Sequence, residues 1–470
     1  MATAPLKLAK QLLTILHKDR DTLLRIDDYL HGIHDDPYMP PNCDDEYRLL
    51  AKRAVSNWMP LLVDTPAQAM YVDSFRRGTT TAKFDEVLPE WLHWQGSRLD
   101  ARQIAVHKGA LTYGHSFTVT ERLRNGKIRT KGLSALRTSA LYEDPANDDT
   151  PYAALTVTRW NQGDDRGRAR MWDGSREYEV TFDSLADLDS VAIKRGALHG
   201  ATECPVTRFA AAVDLEGRTC GVIEPMIELQ NRINQTTLDL LIAQTWGSHK
   251  IRTVSGMAPP VKRNAEGEPI LDKDGEPIPA EINVNVSRFL FAEDPDTRWG
   301  TLDETPLNGF IDSIDMSIRH LSAMSQTPPH HLLGQIANLS AEALLAAETA
   351  LSRKIESFRK SFGESWERVF RLAAEMEGID ASAEDYSGEV LWRDMEQKSL
   401  AQAADALGKL REQLGIPARG LWPRVPGATR QELDEWERIA EDDNGELQLA
   451  QALRRATPDA PGLESGVIAA

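Results

Sequence analysis

Few residues in this 470-residue sequence are grouped in a way that does chemistry. His31-x-x-His34-Asp35 places two imidazoles about one helical turn apart, but no third ligand stands at a spacing that closes a metal site. His330 and His331 are adjacent, so their rings are expected to point to different sides and to make a poor chelate. Asp312 and Asp315 lie one turn apart on a helical pattern; they could hold a hard cation, and a wet helix face is the simpler account. Asp272-x-Asp274-Gly275 opens like a calcium loop, yet the later oxygen ligands and the closing Glu are missing, which favours a tight turn. No G-x-x-x-x-G-K-[ST], G-x-S-x-G or H-E-x-x-H string occurs. The expectation is a protein that is not an enzyme, with no catalytic residue, no bound metal and no cofactor.

Composition narrows the partners. Lys and Arg number 54 against 72 Asp and Glu, a net charge of −18, with acidic pairs at Asp35-Asp36, Asp44-Asp45, Asp148-Asp149 and Asp164-Asp165. A protein that grips nucleic acid by displacing counterions normally carries basic stripes. An apolar content of 41% is enough for real cores. No apolar run approaches the roughly 18 residues of a membrane span; the best local stretch is Leu238–Ala243. Ala2–Leu13 lacks a signal-peptide pattern, and the odd set Cys43, Cys204 and Cys220 cannot fully pair; a reduced, intracellularly made protein is expected.

These residues must be positioned by a chain that changes character along its length. Residues 1–110 carry helical spacing: Leu12, Leu13, Leu16, Leu23 and Leu24, then a helix over Asp45–Met59, then an amphipathic stretch from Trp91 to Leu111; three such helices should pack together. Residues 112–220 are β-rich, with a hairpin turn at Asn125-Gly126 and strands expected over Ser116–Arg124, Lys127–Thr130, Ser134–Leu141, Ala153–Trp160, Arg168–Trp172 and Glu177–Phe182. A helix follows from Pro225 to Trp246, one face of which is rich in amides and hydroxyls (Gln230, Asn231, Asn234, Gln235, Thr236, Thr237) and suits contact with other copies. Pro259–Thr301 is turn-rich and repeats itself, Glu266-Gly267-Glu268-Pro269-Ile270 and then Asp274-Gly275-Glu276-Pro277-Ile278, before a strand over Glu281–Phe291. Helix returns at Leu307–Gln326, with Asp312, Asp315 and Arg319 on its polar side, and stops at Thr327-Pro328-Pro329. After a loop with His330, His331, Gln335 and Asn338, Ser340 caps a helix on the order of 55 Å long, with an apolar stripe from Leu344 to Met376. Short helices fill Gln397–Glu446, broken at Gly415-Ile416-Pro417, and the last residues are small and polar.

Two strings in this order are specific. One is Gly200-x-x-x-Cys204-Pro205-Val206-x-x-Phe209, Gly217-Arg218-x-x-Gly221-x-x-Glu224-Pro225 and Leu229-Gln230-x-x-Ile233-Asn234-Gln235-Thr236. The other is Thr327-Pro328-Pro329-His330 followed by Asn338-Leu339-Ser340-Ala341-Glu342-Ala343-Leu344. Together they resemble the portal proteins of tailed double-stranded-DNA bacteriophages, in the long-tailed group. The first string is similar to that family's join of wing and stem, the second to its tunnel loop and spine, although a glycine is common there where Ala341 stands. The resemblance covers about residues 10–415 by element order.

The resemblance implies an α+β, mainly α, portal-type subunit. Residues 1–223 would be the wing, with its β-rich part at 112–220; 224–256 the first stem helix, 257–302 a small α/β clip, and 303–326 the second stem helix. Residues 327–339 would be the tunnel loop, 340–396 the spine helix and wing return, 397–456 a helical crown and 457–470 a disordered tail. It implies a homo-oligomeric ring, usually of twelve subunits, at one capsid vertex of the virion, assembled in the host cytoplasm, with no membrane partner. The ring would conduct double-stranded DNA without sequence specificity during packaging and ejection. Other partners would be the terminase large subunit, the head-tail adaptor, and the major capsid and scaffolding proteins. Thr327, Pro328, Pro329, His330, His331, Gln335 and Asn338 would meet DNA. Gln230, Asn234, Thr237, Asp312, Asp315 and Arg319 would line the stem or touch neighbouring subunits. Glu266, Glu268, Asp274 and Glu276 would serve partner docking on the clip. The alternatives are a metal-dependent nuclease of DNA packaging with scattered carboxylates, or another minor head morphogenesis protein.

Overall fold

A computed structural model describes residues 5–41, 45–77, 88–163, 165–247, 252–255, 261–262, 264, 267–272, 275–278, 298–301, 306–334, 341–393, 400–428, 432–433 and 435–442. The chain divides into two compact units. The larger comprises Met1–His34, Asn57–Gln230 and His320–Ala470; the smaller comprises Asp35–Ser56 and Asn231–Arg319.

In the larger unit, the helix Ala341–Glu377 runs 37 residues without interruption through Gly363. Its sequence stripe holds from Leu351 onward: Leu351, Ile355, Phe358, Phe362, Trp366, Val369, Ala373 and Met376 are all buried. Trp366 is the centre of an aromatic cluster. Its ring meets Phe209 at 4.6 Å and Trp94 at 5.0 Å between centroids, both edge-on, a geometry that suits the ring quadrupoles. The three-stranded antiparallel sheet of Val206–Ala210, His115–Arg122 and Ile128–Leu133 supplies Phe209 and packs against this helix. Arg368, itself buried, locks the two together through the carbonyls of Val206 and Cys204 (both 3.2 Å) and the Glu203 carboxylate (2.8 Å).

A second sheet holds six antiparallel strands: Thr138–Leu141, Ala153–Arg159, Gly167–Trp172, Arg176–Phe182, Ala192–Ile193 and Ala197–Leu198. The expectation of packed N-terminal helices holds for Pro5–Leu30 and Leu99–Tyr113, which touch. The helix Pro5–Leu30 lays Leu8, Leu12, Leu13 and Leu16 on Leu155, Met171, Val180 and Phe182 of this sheet. Alternation along those strands gives two apolar faces: Leu155, Met171 and Val180 take the helix, and Ala154 and Trp172 pack with Phe117 and Val119 of the first sheet. The stretch from Asp45 is shorter than its pattern suggested, Asp45–Ala54, with a new helix at Met59–Gln68. The Trp91–Leu111 stretch breaks at Arg98, whose φ of 57° is left-handed, into Pro89–Gly96 and Leu99–Tyr113. Ser134–Leu141 is strand only over Thr138–Leu141.

One pairing had no local signal: Val72–Arg76 is antiparallel to Glu389–Trp392, more than 300 residues away. The join that carries the first specific string owes its glycines to backbone proximity. A Cβ on Gly221 would stand 2.2 Å from the Thr112 carbonyl oxygen, and one on Gly114, at φ +86°, would stand 3.0 Å from the backbone of Cys220 and Gly221. Only glycine permits this contact.

In the smaller unit, Ala51, Ala54 and Leu238 form an apolar cluster with Met39, Leu50, Leu241 and Ile242. Arg252–Ser255 pairs antiparallel with Arg298–Thr301. The sequence repeat folds as two equivalent turns. Asn264 Oδ1 accepts the Glu268 N–H (2.8 Å), and Asp272 Oδ1 accepts the Glu276 N–H (3.0 Å). Gly267 and Gly275 supply the positive φ, 87° and 83°. Ile270 donates to the Lys262 carbonyl and Ile278 to that of Ile270, so the two turns stack as successive rungs. The side chain of Asp272 is thus held in a turn of the backbone. The strand expected at Glu281–Phe291 lies outside the described residues.

Candidate functional site

The segment between the helices Asn308–Ser325 and Ala341–Glu377 carries most of the sequence's candidate residues. The first helix ends before the prolines act. Gln326 takes a left-handed φ of 54°, and the Thr327 N–H returns to the Ser322 carbonyl (3.1 Å), while Ser322 Oγ donates to the Thr327 carbonyl (2.6 Å). Thr327 and Pro328 are buried, and Thr327 Oγ1 has no hydrogen-bond partner among the described residues. Where the sequence read as a loop, Pro329 starts a one-turn helix, Pro329–Leu333, which Gly334 closes at φ +66°. Proline suits that first position because its fixed φ is helical and its missing N–H has no intrahelical acceptor there. Leu332 anchors the turn by burial. Gln335 and Asn338 lie outside the described residues.

The turn is held by polar groups from the long helix. Glu348 Oε1 is 2.7 Å from His330 Nε2 and 3.0 Å from His331 Nε2. The two rings stand 4.5 Å apart at a tilt of 34°. The expected divergence of neighbouring rings is therefore corrected. The helical turn swings both imidazoles toward one carboxylate that sequence distance had hidden. Two turns further along, Lys354 Nζ donates to the Ser325 carbonyl (2.7 Å) at the end of the preceding helix. Burial lowers the Lys354 amine to a pKa of about 8.

The remaining candidates divide. In the larger unit, buried Gln230 accepts the Trp58 N–H (3.2 Å). In the smaller unit, buried Asn234 accepts the Ser56 N–H (3.2 Å), and Gln235 accepts the Tyr38 N–H (2.7 Å). The amide face read as a contact with other copies thus serves the chain's own backbone at these positions, where a buried N–H must find an acceptor. Thr237 Oγ1 donates back to the Ile233 carbonyl (2.8 Å). Asp312, Asp315 and Arg319 are exposed, and so is Met324 on the same helix. Glu268 and Glu276 are exposed and tied through their N–H groups into the paired turns; Glu266 and Asp274 lie outside the described residues.

His31, His34 and His107 do structural work. His31 bonds the Asp27 carbonyl and His34 stacks on Tyr29, so the two serve their own helix end. Fully buried His107 accepts from Trp366 Nε1 (2.9 Å) and donates from Nδ1 to the Met70 carbonyl (3.1 Å); burial lowers its pKa to about 3. Glu121 is the best-compensated charge. Burial raises its pKa, but Arg129, Arg170 and Lys131, at 2.8–3.0 Å, outweigh burial and hold it at about 2.

A cleft of about 550 Å³ is lined by Glu203, Glu364, Glu375, Asp380 and Glu384 together with Arg368 and Arg371. Among the described residues, its carboxylates do not converge as a set of three metal ligands; only His330, His331 and Glu348 do so. No described helix is long and apolar enough to cross a membrane.

An α+β chain built on long helices is the class these observations define. The chain belongs to the family described as phage portal protein, SPP1 Gp6-like, whose model matches residues 9–446. It is similar to the portal protein of Mycobacterium phage D29, 29% identical over 191 residues, which is 38% of each chain. It is similar also to the portal protein of Mycobacterium phage L5, 29% identical over 200 residues, or 41% of this chain and 40% of that one. The matched stretches span about two-fifths of the length of these relatives.

Proposed function

We propose that this chain forms a ring at one vertex of a phage capsid and conducts double-stranded DNA during packaging and ejection. The family match over residues 9–446 carries the reading. The succession of helix, small β-module, helix, short turn and 37-residue helix supports it. In this reading the helices Ile227–Gly247 and Asn308–Ser325 are the stem, and exposed Asp312, Asp315 and Arg319 line it or meet neighbouring subunits. The paired turns with Glu268 and Glu276 belong to a clip that docks the terminase and later the head-tail adaptor. The segment from Thr327 to Leu339 is the tunnel loop. The subunit number is twelve, and the ring has no catalytic activity of its own.

The charge has a physical role in this reading. A net −18 per subunit, repeated round a ring, gives a field that repels phosphate and keeps a moving duplex centred. The tunnel loop adds neutral or weakly basic groups, suited to brief backbone contact without base recognition.

Electron microscopy of the purified protein tests the ring directly. Rings with an axial hole are expected, and monomers or filaments alone would overturn the reading. Shortening the tunnel loop by several residues should leave ring assembly intact and reduce packaged genome length or retention. Normally filled, stable particles would remove the DNA role from the loop.

A further inference from the structure

We propose that His330, His331 and Glu348 form a binding site for a divalent transition-metal ion, with zinc the best match, which fastens the turn Pro329–Leu333 to the long helix. The inference stands apart from any contact of this segment with DNA. Its first support is convergence. One donor atom from each of the three side chains lies within 4.8 Å of the other two, the only such group among the described residues. Two imidazole nitrogens and one carboxylate are the donor set that zinc and its first-row neighbours accept, and not one that calcium or magnesium selects.

Distances agree with that chemistry. Donors at 2.0–2.2 Å from a tetrahedral ion are about 3.3 Å apart. Glu348 Oε1 stands 2.7 Å and 3.0 Å from the two Nε2 atoms, so an ion enters by small side-chain rotations with no movement of the backbone. The backbone is already fixed on both sides: by the burial of Leu332 in the turn, and by the Lys354 bond to Ser325. Exposure is graded in the way a half-open site requires. The His330 side chain is 10% exposed, Glu348 33% and His331 36%. That leaves the fourth position to water and gives the ion a path in from one side. Without an ion, two Nε2–H groups must share a single carboxylate oxygen. With one, each Nε2 offers its lone pair instead, and the carboxylate offsets half of the ion's charge.

Cobalt(II) is the probe, because three N/O ligands plus water in a tetrahedral site give it a visible absorption far stronger and further to the red than the weak band of octahedral aqueous cobalt. The full-length, untagged protein is stripped with chelator, exchanged into chelator-free buffer and titrated with cobalt chloride. One ion per chain is expected to bind with a rise in visible absorption, and zinc chloride should abolish that absorption. His331→Ala and Glu348→Gln, one exposed and one isosteric, should each weaken cobalt binding by more than about tenfold while circular dichroism stays unchanged. A wild-type protein with no saturable cobalt uptake would overturn the site. So would uptake that both variants match, which would leave the three side chains as a hydrogen-bonded latch only. If one variant fails to fold, the other with wild type decides.

Discussion

The two ends of the helix Ala341–Glu377 are secured by different physics. From Phe358 to Met376 it is held by an aromatic and aliphatic core in which Trp366, Phe362 and Phe370 are sealed from water. From Leu344 to Lys354, it is joined to the preceding turn by a few polar contacts, the Glu348 carboxylate with its two imidazoles and the Lys354 ammonium. Core contacts are many and non-directional, so they set global stability. Polar contacts are few and directional, so they set the position of a local segment while adding little to the whole.

Breaking the core end should have the largest effect. Trp366→Ala removes a fully buried indole and its bond to His107, and a loss of about 3–5 kcal/mol is expected from denaturant unfolding. A loss under about 1 kcal/mol would show that the cluster is not the anchor.

Acid should weaken the same end. His107 has a folded pKa of about 3, below the ordinary imidazole value, so the unfolded chain takes up the proton first as pH falls. Its stabilising contribution is complete above about pH 6.5 and is lost on the way down to its folded value, on the order of 3 kcal/mol by pH 4. Glu121 adds a loss only at lower pH, below the usual carboxylate value and down to about 2. Unfolding midpoints between pH 7 and pH 4 should fall more steeply for the wild type than for His107→Gln. Equal slopes would assign the acid sensitivity elsewhere.

The polar end sharpens the contrast through a smaller number. Lys354→Met removes the cap on Ser325, worth about 1 kcal/mol. Hydrogen exchange at the amides of Gln326–Leu333 should speed up about fivefold, and exchange near Phe362–Met376 should not change. A matching rise at both ends would mean that the helix opens as one unit.

What the sequence disclosed follows the same division. The buried stripe from Leu351 to Met376 was legible because a packed helix repeats its apolar residues every three or four positions. The paired turns were legible because Asn or Asp, then glycine three residues later, specify their backbone. Pairings between distant residues left no such mark. Nothing local joins Val72–Arg76 to Glu389–Trp392, or Glu348 to a histidine pair 17 and 18 residues before it. The amides of Gln230 and Asn234 misled for a related reason. A polar helix face reads alike whether its acceptors meet another subunit or, as here, the N–H groups of Trp58 and Ser56. Gln326 is another such case, since its left-handed backbone is imposed by the helix end it closes rather than by its residue type.

Lys354 offers a use beyond stability. An amine with a pKa of about 8 is about one-tenth neutral at pH 7, against about one part in three thousand for an ordinary lysine. The neutral form is the nucleophile, but in the closed state Nζ is shielded and bonded to the Ser325 carbonyl, so acylation of Lys354 waits for that bond to part. Its modification rate, read by peptide mass spectrometry, then becomes a clock for the opening of the adjacent turn in the folded protein.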